Sequence, residues 1–313
     1  MFLTVTPNPP IDRILHVPHL TVGEVHRATA VHMVAGGKGL NVTRAARILG
    51  CEVLATGPLA GHAGRLMADL AVVEELRADW YWLPSGETRT CMLINHDTGD
   101  TTVINEPGES LSEADWAGFA AHVERLAGQA QAVAFSGSLP PRVNPAALGA
   151  LARAVVAPER AIYLDTSGAA LAAVLSRPTG LCLKVNRAEL ATELHLAVDE
   201  FSMGIIISVG QSLLARGAAL IVVTLGREGA LAITPEGCWQ ASPPLVEVVS
   251  TVGSGDSMLA GLAVARLEGR SLEAALAFGV ACGAANATTR LPGRFERNTV
   301  ETLLTQVNVK RIA

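Results

Sequence analysis

The segment Ser250-Thr251-Val252-Gly253-Ser254-Gly255-Asp256-Ser257-Met258-Leu259-Ala260-Gly261 sets two glycines before a carboxylate where a small-residue helix begins. Backbone donors and the helix dipole at such a turn can hold a phosphoryl group in transfer, with Asp256 beside it as a base. Taken alone, Asp256 could equally be an N-terminal helix cap. A second glycine-rich loop, Ala35-Gly36-Gly37-Lys38-Gly39-Leu40-Asn41-Val42-Thr43-Arg44, runs into a helix with apolar Leu40, Val42, Ala45, Ala46 and Leu49. Glycines let N–H groups approach a ligand, and a helix N-terminus favours anions or hydroxyl oxygens. Alone, this loop could be a tight strand-to-helix turn. Its spacing is neither GxxxxGK[ST] nor GxGxxG. Two such loops in one chain favour a site for two substrates.

Leu225-Gly226-Arg227-Glu228-Gly229-Ala230 follows the strand candidate Ile221-Val222-Val223-Thr224, and ligands of open α/β sheets sit at the carboxyl ends of strands. That places the loop for nucleotide phosphates, with Thr224 as a hydroxyl donor. The same logic applies to Asn186 and Glu189, an amide oxygen and a carboxylate three residues apart that could hold magnesium through water. Lys38 and Arg89 are cations of the two kinds that bind phosphate, a point charge and a planar fork, although either could be ordinary surface charge.

The elements that must position these residues alternate. Strand candidates Leu3 to Thr6, Val53 to Thr56, Ala132 to Phe135, Ala161 to Leu164, Leu181 to Val185 and Leu220 to Thr224 are separated by helical patterns starting near Gly39, His62, Ser112, Pro145, Arg187 and Ser202. This is the pattern of an α/β protein with a mostly parallel sheet flanked by helices. Two strand-rich stretches break it, 11–34 and 87–105, the second a hairpin about Asp97-Thr98-Gly99-Asp100. We expect them to form a small β-sheet lid, leaving 1–10, 35–86 and 106–313 as the large domain. The apolar Val17, Val22, Met92, Ile94, Val103 and Ile104 exceed what two short strand groups can bury. Trp80-Tyr81-Trp82 is expected to pack or to form an oligomer face.

The 313 residues suffice for one large domain carrying a smaller one, and half of them are hydrophobic against 17% charged. A net charge of −5 argues against a nucleic-acid or anionic-membrane protein. Five scattered cysteines without a CxxC pair point to neither a disulfide framework nor structural zinc. With no leader pattern in Phe2-Leu3-Thr4-Val5-Thr6 and no uninterrupted spanning stretch, a cytoplasmic protein is expected.

Together, Thr4-Val5-Thr6-Pro7-Asn8-Pro9-Pro10-Ile11-Asp12, the Gly36–Asn41 loop, Ser136-Gly137-Ser138-Leu139-Pro140 and the Asp256 helix resemble the ribokinase-like (PfkB) carbohydrate kinases. The resemblance is to the hexose-phosphate branch with tagatose-6-phosphate kinase and 1-phosphofructokinase, and it extends to about Gly283. It implies ATP and magnesium as cofactors and a homodimer formed through the lid. It further implies that Asp12 binds sugar hydroxyls, that Gly37, Lys38 and Asn41 cradle the sugar, and that Arg89, assisted by Ser138, reaches a phosphate already on the acceptor. On the nucleotide side it implies Lys184, Asn186, Glu189, Thr224, Gly226, Gly229 and Gly283. Asp256 falls at the catalytic base, with Gly253, Ser254 and Gly255 as the anion hole. Val185 departs from the family, which usually has proline there. The competing expectations are an unphosphorylated sugar or nucleoside kinase of the same family and a silent sugar-phosphate sensor. A dinucleotide oxidoreductase is set aside, because Thr6-Pro7-Asn8-Pro9 is not its glycine turn.

Overall fold

The computed structural model describes residues 1–97, 101–198 and 201–313. In chain order its strands are β1 (Phe2–Val5), β2 (Ile11–Val17), β3 (Ala30–Ala35), β4 (Val53–Thr56), β5 (Pro58–Leu59), β6 (Tyr81–Trp82), β7 (Thr90–His96), β8 (Thr101–Asn105), β9 (Ala132–Ser136), β10 (Ala161–Asp165), β11 (Cys182–Asn186), β12 (Leu220–Thr224), β13 (Ala230–Thr234), β14 (Gly237–Ser242) and β15 (Asn308–Arg311). The helices are α1 (Lys38–Ile48), α2 (Gly61–Val73), α3 (Glu113–Ala127), α4 (Ala146–Ala154), α5 (Gly168–Ser176), α6 (Arg187–Glu193), α7 (Met203–Ala215), α8 (Ser254–Leu267), α9 (Leu272–Ala287) and α10 (Arg297–Leu304).

Nine strands form the main sheet in the order β4-β1-β9-β10-β11-β12-β13-β14-β15. The pairs from β4 to β12 in that order are parallel, and β13, β14 and β15 continue the sheet antiparallel. Side chains alternate between two cores, as the two-residue strand period requires. Leu3, Val5, Val133, Phe135, Leu183 and Val185 join the core that includes residues of α3 to α7, while Phe2, Ala132, Ala134 and Val222 join that of α1, α8, α9 and α10. Both faces are thus buried, which is why the parallel strands read as unbroken apolar runs. Small residues on the second face let helices approach closely: a Cβ on Gly261 of α8 would lie 3.0 Å from the Gly279 Cα of α9.

The six expected strands and six expected helix starts all occur, to within a residue or two. The antiparallel β13 to β15 and helices α5, α9 and α10 were not anticipated. Twelve of the sixteen residues of α9 are buried, so it shows no amphipathic stripe to read. Val185 pairs with Val223 in regular parallel register, so valine at this position continues β11 as far as Asn186.

A second sheet runs β3-β2-β7-β8, with β2 parallel to β7 and both outer pairs antiparallel. Of the turn expected between β7 and β8, Thr98, Gly99 and Asp100 lie outside the described residues. The inner face of this sheet carries Ile14, Val34, Cys91 and Leu93, packed with Val252 and Leu291. Val17 is buried too, a correction to its expected place in the apolar surplus. Across the outer face the register aligns Met33, Arg13, Met92 and Ile104, with the three apolar members exposed. Tyr81 and Trp82 pair with Pro58 and Leu59, and Tyr81 packs against Phe119.

Candidate active site

Strands β9 to β12 end at one edge, where the register sets Ser136 beside Asp165 and Asn186 beside Thr224. Over this edge lies a cavity of about 950 Å³ whose walls include Asp12, Cys91 and Leu93 of the small sheet. Every residue singled out in the sequence lines it except Glu189: the sugar-side group Asp12, Gly37, Lys38, Asn41, Arg89 and Ser138, the nucleotide-side group Lys184, Asn186, Thr224, Gly226, Gly229 and Gly283, and the turn Gly253 to Asp256. Gly283 also sets the approach of α9 to α8, since a Cβ there would lie 3.1 Å from the Ser254 carbonyl oxygen.

Helix α8 opens from Gly253, which has a left-handed φ of 80° and no room for a Cβ, which would fall 2.6 Å from that of Pro292. Asp256 is the third helical residue, and its carboxylate does not cap the helix. Instead its Oδ2 accepts a 2.8 Å hydrogen bond from the Asn41 amide of α1. Burial and then the nearby Asp165 carboxylate push the Asp256 pKa up, opposed by Lys38, Lys184 and the Asn41 bond. A buried carboxylate with a raised pKa, facing a cleft, is suited to proton transfer. Of the expected anion-hole donors, the Ser254 N–H is engaged by the Thr251 carbonyl at 3.2 Å. Among the described residues the N–H groups of Gly253, Gly255 and Asp256 have no protein acceptor, so of the three expected donors only Ser254 is engaged, and Asp256 adds a further open N–H.

Asp165, at the end of β10, was missed. It is fully buried and accepts from Lys184 Nζ at 2.6 Å and Lys38 Nζ at 3.1 Å. Burial alone would raise its pKa, but Lys184 and Lys38 outweigh it and hold the carboxyl below its ordinary value. The Asp165 charge in turn raises the pKa of Lys38. The signal was available, for Asp165 is an acid ending a strand candidate, the position from which Asn186 and Thr224 were chosen. A second missed residue, the fully buried Asn286, donates to the Val252 carbonyl at 2.8 Å and to Ser254 Oγ at 3.1 Å, and its Oδ1 accepts from Gly293 N at 2.7 Å. It fixes the loop leading into α8 from within an all-buried helix, where spacing carries no hint.

Asp12 accepts from the Gly37 N–H at 3.3 Å, and burial lifts its pKa to about 6. Its carboxylate occupies the space a Cβ on Gly36 would need, at 2.3 Å. Arg89 donates from Nε to the Asn8 carbonyl at 3.0 Å and from Nη1 to that of Glu106 at 2.9 Å. Its guanidinium is therefore held at the cavity wall by backbone.

Asn186 and Glu189 form a reciprocal cap on α6: Asn186 Oδ1 accepts from Glu189 N at 2.7 Å and Glu189 Oε2 from Asn186 N at 3.0 Å. The remaining Glu189 oxygen lies 3.7 Å from Lys38 Nζ. Among the described residues there is no cluster of three metal-ligating side chains. This donor set does not fit an all-protein cage; it fits magnesium held mainly by nucleotide phosphates and water.

A family model described as pfkB family carbohydrate kinase matches residues 8–296, and the chain belongs to that family. It is accordingly a carbohydrate kinase, a phosphotransferase. Phosphofructokinase-2 from Escherichia coli in complex with substrates and products superimposes with a TM-score of 0.87 at 29% identity, over 98% of each chain. A possible 1-phosphofructokinase from Thermotoga maritima gives 0.88 at 24% over the whole of both chains, and Arabidopsis thaliana ribokinase complexed with ribose and ATP gives 0.75 at 22% over 96% and 98%. The last two mark the ribokinase-like fold. Among the described residues no helix is long and apolar enough to cross a membrane.

Proposed function

We propose that the chain transfers the γ-phosphoryl group of ATP to a hydroxyl of a ketohexose phosphate, giving the bisphosphate. The acceptors that suit the site are tagatose 6-phosphate, fructose 1-phosphate and fructose 6-phosphate. The observation that carries this is one cavity holding a buried carboxylate of raised pKa, Asp256, together with the cations Lys38, Lys184 and Arg89. The E. coli phosphofructokinase-2 that resembles it is also known in complex with fructose-6-phosphate.

In this reading Asp12, Gly37 and Asn41 hold sugar hydroxyls, while Arg89 with Ser138 holds the acceptor's phosphate. Asp256 takes the proton of the attacking hydroxyl through the oxygen not bonded to Asn41. The free N–H groups at the start of α8 and the ammoniums of Lys38 and Lys184 face the charge that spreads over the transferring group. Thr224, Gly226, Gly229 and Gly283 border the nucleotide. Magnesium, when bound, neutralises phosphate charge, with Glu189 and Asn186 touching its water shell.

The small sheet, residues 11–34 and 87–105, acts as a lid on the domain formed by 1–10, 35–86 and 106–313. Its outer face exposes Val31, Met33, Met92 and Ile104 between 41% and 53%, a surface suited to pairing with a second copy in a homodimer. A cytoplasmic kinase is the setting such substrates imply. One observation favours an unphosphorylated acceptor instead: Arg89 already satisfies two backbone carbonyls, as a purely structural arginine would.

A coupled ADP-release assay across the three phosphosugars and unphosphorylated fructose decides between them. We expect at least one phosphosugar to give the highest kcat/KM. A preference for fructose overturns the phosphosugar assignment.

A further inference from the structure

Arg44 lies on α1, one turn beyond Asn41, and is only 4% exposed. It touches no part of the large cavity, yet its donors are all directed. Nη1 donates to Asn41 Oδ1 at 3.0 Å, Nη2 to Glu74 Oε1 at 3.0 Å and to the Ala35 carbonyl, and Nε to Glu74 Oε2. Glu74 Oε1 also accepts from the Ala35 N–H at 3.0 Å, so the ion pair grips both polar groups of the residue that ends β3 and opens the Gly36–Gly37 loop.

A guanidinium has donors and no acceptor, so it can meet Asn41 only at the amide oxygen. The Asn41 NH₂ must then face the other way, toward Asp256, where it donates at 2.8 Å. Without that constraint the amide can rotate half a turn and present its oxygen to Asp256. In that state the oxygen accepts a hydrogen bond from protonated Asp256 and stabilises the acid form, which cannot act as a base. The raised pKa of Asp256 brings this state within reach. The charged groups that bear on the site from other elements, Asp165 on β10, Lys184 on β11, Lys38 on α1 and Asp12 on β2, do not contact the Asn41 amide and cannot prevent the rotation.

We propose that Arg44 is a positioning residue: by holding the Asn41 oxygen it fixes the amide so that Asp256 stays ionised with one oxygen free for the acceptor hydroxyl. The inference rests on Asp256 being the base of the proposed reaction.

The test is a cycle in kcat, measured as ADP release with the best phosphosugar. Arg44→Met is made together with Glu74→Gln, so that the buried Glu74 carboxylate is not left with the half-exposed Arg294, 3.0 Å away, as its sole cation, in the wild-type and Asn41→Leu backgrounds. In the wild-type background we expect kcat to fall by about 10- to 100-fold, with KM for ATP within about threefold. In the Asn41→Leu background, which has no amide to orient, the same pair should cost no further kcat. Losses that multiply across the two backgrounds, or an unchanged kcat in the first, overturn the proposal. Should the pair fail to fold, Arg44→Lys in both backgrounds is read by the same criterion, because one ammonium cannot reach Asn41, Glu74 and Ala35 together. A wild-type chain inactive on every acceptor would overturn the proposed function and this inference with it, whereas an active wild type with multiplying losses overturns this inference alone.

Discussion

Lys184 Nζ lies 2.6 Å from Asp165 Oδ2, and both side chains are buried at the ends of neighbouring parallel strands. Removing one partner of such a pair leaves the other charged and unsolvated, at a cost of about 3–5 kcal/mol. Asp165→Leu should therefore lower the denaturant midpoint by an amount equivalent to at least about 3 kcal/mol. Lys38 can fall back on Glu189, 3.7 Å away, but Lys184 has no second carboxylate within 4 Å among the described residues. A midpoint within error of wild type would mean that the Lys184–Asp165 pair does not hold the two strands together.

Asp256→Asn should remove turnover while leaving the chain folded. Loss of a general base commonly costs about 10² to 10⁴ in rate. A lost helix cap would cost about 1 kcal/mol of stability, and Asp256 caps nothing. Because its folded pKa is raised, the wild-type carboxylate weakens folding at pH values above that pKa, so the neutral amide should be at least as stable as wild type at pH 8. Retention of more than about a third of wild-type turnover would remove Asp256 from the role of base.

The α/β architecture was readable because buried parallel strands are short apolar runs and their helices carry caps and period. Ser112 and Asn186 cap α3 and α6 by accepting from residues three positions on, as the local pattern indicates. The two glycine loops and Asp256 were readable because glycine marks a backbone demand that other residues meet poorly. Asn286 was not found because it lies on a helix buried all round, and Arg44 because its carboxylate partner Glu74 lies 30 residues along the chain; neither leaves a periodic trace. Asp165, an acid ending a strand candidate, was within reach of the rule that picked Asn186 and Thr224. Ser254 looked equivalent to its neighbours, and only the turn back to Thr251 separates its N–H from theirs.

Asp12 makes a pH-dependent prediction of definite sign. Its pKa is about 6 in the folded chain against 3.8 in the unfolded one, so between these values the native state holds more protons and stability falls as pH rises. Asp12→Asn does not titrate and should escape this loss. The variant should gain over wild type across roughly pH 4 to 7, reaching on the order of 2–3 kcal/mol at pH 8 and nothing below pH 4. Thermal melts at pH 4.0, 6.0 and 8.0 give the comparison. A gain independent of pH would show that the carboxylate is not the source. Activity should fall in the same variant, since the proposed contact to the sugar hydroxyl is weakened.

The outer face of the small sheet provides a prediction about assembly. Met92 stands opposite Ile104 in the β7–β8 register, and both are exposed, by 41% and 53%. If a second copy covers this face, Met92→Glu should bury a charge in the interface and shift the chain to monomer at micromolar concentration, as read by light scattering. A wild-type protein already monomeric under those conditions would count against pairing through this face.

Arg89 separates a phosphosugar kinase from a plain sugar kinase. Nε and Nη1 are tied to the carbonyls of Asn8 and Glu106, an arrangement that fixes the plane of the fork at the cavity wall before any ligand arrives. A fork fixed in this way loses little side-chain entropy on meeting a phosphate. Truncation should then cost the acceptor a charge-assisted hydrogen bond of about 1.5–3 kcal/mol, a rise of roughly 10- to 150-fold in its KM. The KM for ATP should stay near wild type, because Arg89 is not among the groups proposed to border the nucleotide. The same truncation also frees two carbonyls and could loosen β7, so a rise in the phosphosugar KM by itself does not distinguish contact from support. Unphosphorylated fructose does distinguish them: it has no phosphate contact to lose, and a loosened wall would penalise both acceptors alike. Contact predicts that Arg89→Ala narrows the ratio of kcat/KM for phosphosugar over fructose by at least about tenfold. A ratio equal to that of the wild type would make Arg89 a strand anchor, and recognition of the acceptor's phosphate would fall to Lys38 and Ser138.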